Sequence, residues 1–347
     1  MKKRLFFIAI LLMIATFFLL MMALSDAQET KRKTVRWGSS KAGSAGYVVL
    51  FGVAKVINDR APELYIEAVP TGGSIASQRM MAKGELDGAY SGTWNLLDMY
   101  MNRGPYEKSP YPPQAIKPYQ TWYSYLTKQF VITKSDRADI KNWRDLVGKK
   151  VCVPLPGASI FEVPKAAFSA MGIWDKIKVV DLAFTAIPDA LNMGTIDAVV
   201  GYANGDVLIP WMAEVDSRCK IKVVNPTPED QKIVKKVPGY ITASMETKKV
   251  FSQDVGVAQA FTIADHYGFH IGRNLSLAHG YKLFKILIEN AKEIEKIHAM
   301  MIDYARDPLG MQVRAIGSIP NIPVHPGVAK YLKEKGLWQK EWIVGEE

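Results

Sequence analysis

Residues 33–58, KTVRWGSSKAGSAGYVVLFGVAKVIN, predict a strand, a loop of small residues with two glycines, and then apolar positions at the spacing of an amphipathic helix. KKVCVPLPGASIFEVPKAAFSAMG (149–172) repeats that order about 115 residues later. A second pair follows the same rule, since SIASQRMMAKGELDGAY (74–90) and FTAIPDALNMGTIDAVV (184–200) each run helix, Gly, two residues, Asp, strand. Two matched pairs in one order, at nearly one offset, predict an α/β protein with two βαβ lobes of similar design. Strands alternating with helices imply parallel sheets with right-handed crossovers.

GPYEKSPYPPQAIKPYQTWY (104–123), rich in Pro and Tyr, is expected to run over the surface. TWYSYLTKQFVITK (121–134) alternates like a strand and is expected to carry the chain from lobe one to lobe two, with a return near 225–240. From Val250 onward the pattern reads as helical, through VFSQDVGVAQAFTIADHYGF and then SLAHGYKLFKILIENAKEIEKIHAMMIDYA, and both are expected to pack on lobe one. The expected organisation is therefore 34–126 plus 238–347 for a discontinuous lobe one and 127–237 for lobe two. Two crossings make a hinge, and a hinge makes a cleft that closes.

At the N-terminus Lys2, Lys3 and Arg4 precede an uncharged run over 5–24, and Ser25-Asp26-Ala27 supplies small residues for cleavage after Ala27. This predicts a signal peptide over 1–27 and a periplasmic or extracytoplasmic location. The 20-residue run is also long enough to serve as an uncleaved membrane anchor. Its removal lowers the formal charge from +10 to +8. The remaining lysines are scattered, which disfavours nucleic acid as a partner. Cys152 and Cys219 fall on expected strands of one lobe; an oxidising compartment permits a disulfide, and two buried free thiols are expected.

Ligands of parallel α/β lobes sit where strands end and helices begin. Four such places combine Gly with Ser or Thr: 39–46, 71–74, 91–95 and 156–159. Backbone N–H groups and hydroxyls there suit a carboxylate or similar anion. Catalytic patterns are weaker. His266 and His270 are spaced i, i+4, but Tyr267 stands where a zinc-protease motif has Glu and Gly268 weakens a helix, so no metal site is expected. No serine has the G-x-S-x-G flanks of a nucleophile elbow, and no G-x-G-x-x-G or Walker loop occurs. Asp87 and Asp197, in Gly-x-x-Asp turns, are expected to hydrogen-bond the backbone at strand starts. No enzyme activity and no cofactor are expected.

Together, GSAGY, PTGGSIASQRMMAKGELDGAY, IKNWRDLVGKKVCVPLPGAS (140–159), MGTIDAVVGY (193–202) and IPNIPVHPGVAKYLKEKG (319–336) resemble the TAXI-type solute receptors of tripartite ATP-independent periplasmic (TRAP) transporters over nearly all of the chain beyond the signal. The resemblance implies a type II periplasmic-binding-protein fold with a hinge and a ligand cleft. It implies capture of a small organic anion, such as glutamate, 2-oxoglutarate or another carboxylate, and its delivery to TRAP permease membrane subunits. It places ligand contacts at Ser39, Ser40, Gly43, Ser44 and Tyr47, at Thr71, Gly73 and Ser74, at Ser91 and Trp94, and at Gly157, Ala158 and Ser159. Tyr90-Ser91-Gly92 stands where many members read Gln-Ser-Asp, and Gly157-Ala158-Ser159-Ile160 where they read Gly-Ser-Gly-Thr. With Tyr47, Tyr90, Trp94, Ile160 and Phe161 nearby, a carboxylate other than glutamate is expected, a keto acid or one with an apolar tail. The alternatives are an exported sensor subunit that signals to a membrane kinase, with the same cleft, and a two-lobe enzyme acting on a small carboxylate.

Overall fold

The computed structural model describes residues 32–347 apart from Gly157. The expected signal segment and the Gly157 contact therefore lie outside the described residues. Strand β1 (Lys33–Gly38) pairs in parallel with β2 (Leu64–Val69) and β3 (Gly88–Gly92). In the second lobe β5 (Lys150–Cys152) pairs in parallel with β6 (Lys178–Val180) and β7 (Ala198–Asn204) in the same way. Two long antiparallel strands join these halves, β4 (Tyr119–Lys134) and β11 (Gln259–Ile271), in the order β2-β1-β3-β11-β4-β7-β5-β6, and the short strands β8 (Val207–Leu208) and β9 (Ile221–Val224) pair with β7 and β4. This is the type II periplasmic-binding-protein fold, two βαβ lobes on one continuous curled sheet.

The longer helices are α1 (Ala45–Asn58), α2 (Ser74–Ala82), α3 (Thr93–Met101), α4 (Ser159–Ala170), α5 (Pro210–Arg218), α6 (Leu277–Glu289), α7 (Pro308–Ser318) and α8 (Pro326–Glu334). The apolar faces of α1, α6 and α8 cover lobe one around Trp37, Trp122 and Phe269. Lobe two has a core on each side of its sheet, one around Phe130 and Trp211 and one around Trp143 and Phe168. Two buried indoles are tied in: Trp122 Nε1 donates to Tyr304 Oη at 3.0 Å, and Trp143 Nε1 to the Val224 carbonyl at 2.7 Å. The Gly-x-x-Asp turns do equivalent work in both lobes. Asp87 Oδ2 accepts from Arg36 N at 2.8 Å and Asp197 Oδ2 from Lys150 N at 2.7 Å, so each carboxylate fixes the strand next to its own.

One expectation is corrected. Residues 259–271 form β11 and not a helix; every residue from 262 to 271 is buried. A strand covered on both faces shows no alternation, and its apolar run is read as helical when polar residues happen to fall four apart. The packing that follows 225–240 bears on the return crossing. Strand β10 (Ile241–Glu246) pairs with the first half of β11, and Met245, Phe251, Val255 and Ala260 pack with Phe130, Val199 and Trp211 of lobe two. From this packing we propose a second boundary within β11, later than the expected return near 225–240.

Cys152 and Cys219 are free and buried. Burial pushes the Cys152 thiol up to about 12 and also raises that of Cys219, whose Sγ lies 3.5 Å from the Pro188 carbonyl. The native protein should therefore leave both thiols unmodified by Ellman's reagent and release two equivalents of colour after denaturation. No colour after denaturation without reductant would mean a disulfide.

Candidate functional site

The carboxyl ends of β1, β2, β3 and β5 lead directly into the first turns of α1, α2, α3 and α4. Their N-termini differ in how they are capped. Ser44 caps α1 by accepting from Tyr47 N, and α3 is capped from another strand, with Asp265 Oδ1 accepting from Thr93 Oγ1 at 2.7 Å and Trp94 N at 3.1 Å. Helices α2 and α4 begin at Gly73 and Ala158 with no side-chain cap. These two uncapped ends, one from each lobe, face each other, with Ser74 Oγ 3.4 Å from Ser159 Oγ and both serines buried. Gly73 has φ +122°, a backbone state that other L-residues rarely adopt, and this lets β2 turn abruptly into α2.

Hydroxyls expected to line the cleft divide into two groups. Ser39 Oγ donates to the Val69 and Ser40 carbonyls, Thr71 Oγ1 donates to the Ser39 carbonyl at 2.6 Å and accepts from Gly73 N at 3.2 Å, and Ser91 Oγ lies between Gln78 Nε2 and the Gly92 carbonyl. These three shape the loops from within. Ser74 and Ser159 meet at the junction of the lobes with Ala158 beside them, whereas Ser40, Gly43, Ser44 and Tyr47 are partly or fully exposed, and the Tyr47 ring rests on Phe51 at 4.2 Å. Trp94 is a lobe contact: its ring meets Tyr240 at 4.6 Å and the Arg103 guanidinium at 5.2 Å, and it packs in the core around Trp143.

Residues beneath the cleft escaped the sequence reading because they lie on the crossing strands. Pairing of Tyr267 with Tyr125, Asp265 with Thr127 and Ile263 with Gln129 puts these side chains on one face. On that face Tyr90 Oη and Tyr125 Oη are 2.6 Å apart, and the Tyr267 ring stacks on both neighbours at 5.3 and 5.7 Å. The Ser159 hydroxyl is close enough to Tyr267 to offset part of the rise that burial causes in its phenol. Burial holds the phenols of Tyr90, Tyr125 and Tyr267 well above their ordinary range, so all three remain protonated donors. Asp265 is buried and pushed up to about 6 by desolvation, partly offset by its donors Thr93 and Trp94. A Cβ at residue 92 would fall 2.1 Å from Asp265 Oδ2, so only Gly92 admits this carboxylate. His266 and His270 lie on the opposite face; burial holds each down to about 3 and neutral, with His270 between Thr121 N and the Ser91 carbonyl.

The profile of the NMT1-like family matches residues 38–336. None of the curated proteins matches the chain. Among solved structures the chain is similar to a putative L-cystine ABC transporter from Listeria monocytogenes, with 14% identity over 76% of this chain and 94% of that one and a TM-score of 0.42. It is also similar to the alkanesulfonate-binding protein SsuA from Xanthomonas axonopodis pv. citri bound to MOPS, with 16% identity over 90% and 96% and a TM-score of 0.42. A third is the probable amino-acid ABC transporter extracellular-binding protein ytmK from Bacillus subtilis, with 12% identity over 78% and 98% and a TM-score of 0.44.

A raised folded-state carboxyl has a definite consequence for stability. Asp265 stabilises the fold relative to its ionised form below its ordinary value of 3.8, and that contribution is lost as pH rises through about 6. Asp265→Asn keeps an acceptor for Thr93 and Trp94 while removing the charge. The variant should match the parent near pH 3.5 and exceed it at pH 8 by about 2–3 kcal/mol. Parallel stability curves across this range in urea would contradict the assignment.

Proposed function

This chain belongs to the NMT1-like family, and from that premise we propose that it is an extracytoplasmic solute-binding receptor that captures a small carboxylate between its lobes and delivers it to a membrane transporter. The observation that carries this is the meeting of two uncapped helix N-termini across the cleft, at Ser74 and Ser159. Each helix start carries roughly half a positive charge and unsatisfied N–H groups. An anion between them satisfies both ends at once, and does so only when the lobes are closed, so ligand and closure stabilise each other. Ser74 and Ser159 add hydroxyl donors, and Tyr267 stands beside Ser159.

The finer assignment is a TAXI-type receptor serving a TRAP permease driven by an ion gradient, supported by the GSAGY, TGGS and IPVHPG segments at their places in the chain. Export is supported by the basic and apolar N-terminus. Among the described residues no helix is long and apolar enough to cross a membrane. Exposed faces of both lobes around the cleft are the surface on which a permease reads closure, because their relative position changes only then.

The test is a thermal-shift and calorimetric screen of the chain from Gln28 onward, refolded to strip carried-over ligand, against small carboxylic acids. A true ligand at 100 times its Kd should add about 2.7 kcal/mol of stability and be recovered chemically unchanged. A shift only with uncharged or cationic solutes would overturn the carboxylate assignment, and chemical conversion of the acid would overturn the receptor assignment. Ser74→Asp supplies a fixed negative charge at the junction. This variant should be more stable than the parent without ligand, by about 0.3–1 kcal/mol, and should no longer bind the acid. Unchanged acid affinity would remove α2 from the site.

A further inference from the structure

Gln129 is 2% exposed, and neither its amide nitrogen nor its carbonyl oxygen meets a partner among the described residues. Its position is fixed by register, opposite Ile263 on β11 and Tyr202 on β7. It therefore shares the face that carries Tyr125 and Thr127 on β4 and Asp265 and Tyr267 on β11, the face that reaches Ser159 and the start of α3. Thr127, between Gln129 and Tyr125, is satisfied by Asn204 Oδ1 at 2.8 Å. Asp265 Oδ2, diagonal to Gln129, also meets no partner. A buried amide left unpaired costs free energy, and such groups are rare in native proteins unless something else completes them.

We propose that Gln129 is a specificity-determining residue of the cleft, receiving a hydrogen-bond-donating group at the end of the ligand remote from the carboxylate. This rests on the carboxylate assignment above and deepens it. The Gln129 carbonyl accepts, and Asp265, diagonal to it across β4 and β11, carries charge, so a hydroxyl, carboxamide or ammonium group suits this stretch of the face better than an anion. A second carboxylate is repelled by Asp265. A purely hydrocarbon tail, the kind expected from the aromatic residues near the loops, leaves both groups bare and ranks below a donor-bearing one of equal length.

The test compares four sets of acids of three to six carbons by calorimetry: unsubstituted, ω-hydroxy, ω-carboxamide and dicarboxylic. The parent protein should bind a hydroxy or carboxamide acid about tenfold tighter than the unsubstituted and dicarboxylic acids of equal length. Gln129→Met, which keeps the length and removes both amide atoms, should erase that preference while leaving affinity for the unsubstituted acid unchanged. Its melting temperature without ligand should equal or exceed that of the parent, since an unpaired buried amide has been removed. A retained preference, a drop in unliganded stability, or tightest binding of a dicarboxylic or unsubstituted acid would each overturn the role given to Gln129. Binding of none of the acids would overturn the carboxylate assignment itself, and this inference with it.

Discussion

Two helix starts of like partial charge, one from each lobe and neither capped by a side chain, meet through their first serines in this fold. The Ser74 and Ser159 hydroxyls are 3.4 Å apart, and the helices behind them belong to different lobes. Left alone the arrangement is repulsive; with an anion between, each helix gains a cap that the chain does not provide. On the proposed function closure and binding are one event. Gly73 lets α2 start abruptly, Thr71 and Ser39 hold the loop in shape from behind, and β5 brings α4 to the same point from the other lobe.

What keeps the two ends in register is the pair of long strands β4 and β11, which run through both lobes. Their shared face changes character along its length, from stacked tyrosines in lobe one, through Thr127 and Asp265 at the crossing, to Gln129 and Ile263 in lobe two. Asp265 links this hinge to the cleft by capping α3 from across the sheet, so movement of β11 is transmitted to a helix start. Trp94 on α3 then meets Tyr240, which packs with lobe two, and this aromatic contact lies across the same closure. On the proposed function, making and breaking this contact would present a different surface to a membrane partner.

The twofold plan was legible in the sequence because its signals are local. Small-residue loops at strand ends and Gly-x-x-Asp turns before β3 and β7 lie within short stretches, and Asp87 and Asp197 indeed bind strand backbone in each lobe. The crossing strand β11 was not legible. Its residues are buried on both faces, so neither period appears, and pairs such as Gln129 with Ile263 join distant parts of the chain. With β11 misread, Asp265 and Tyr267 were missing from the expected cleft, and Gln129, on a strand that was read correctly, was missing because its pairing with Ile263 was not visible. Ser39, Thr71 and Ser91 show the second limit: sequence located the loops, but whether a hydroxyl turns outward or bonds a neighbouring carbonyl depends on backbone geometry that composition does not carry.

The most direct measurement is a crystal structure of the protein with its bound solute, grown from material purified without refolding or from the refolded chain with the acid added. The carboxylate should lie between the first turns of α2 and α4, within hydrogen-bonding distance of backbone N–H groups from both lobes and of the Ser74 and Ser159 hydroxyls. A solute seated on one lobe alone, or held elsewhere with these two helix ends still in mutual contact, would contradict it.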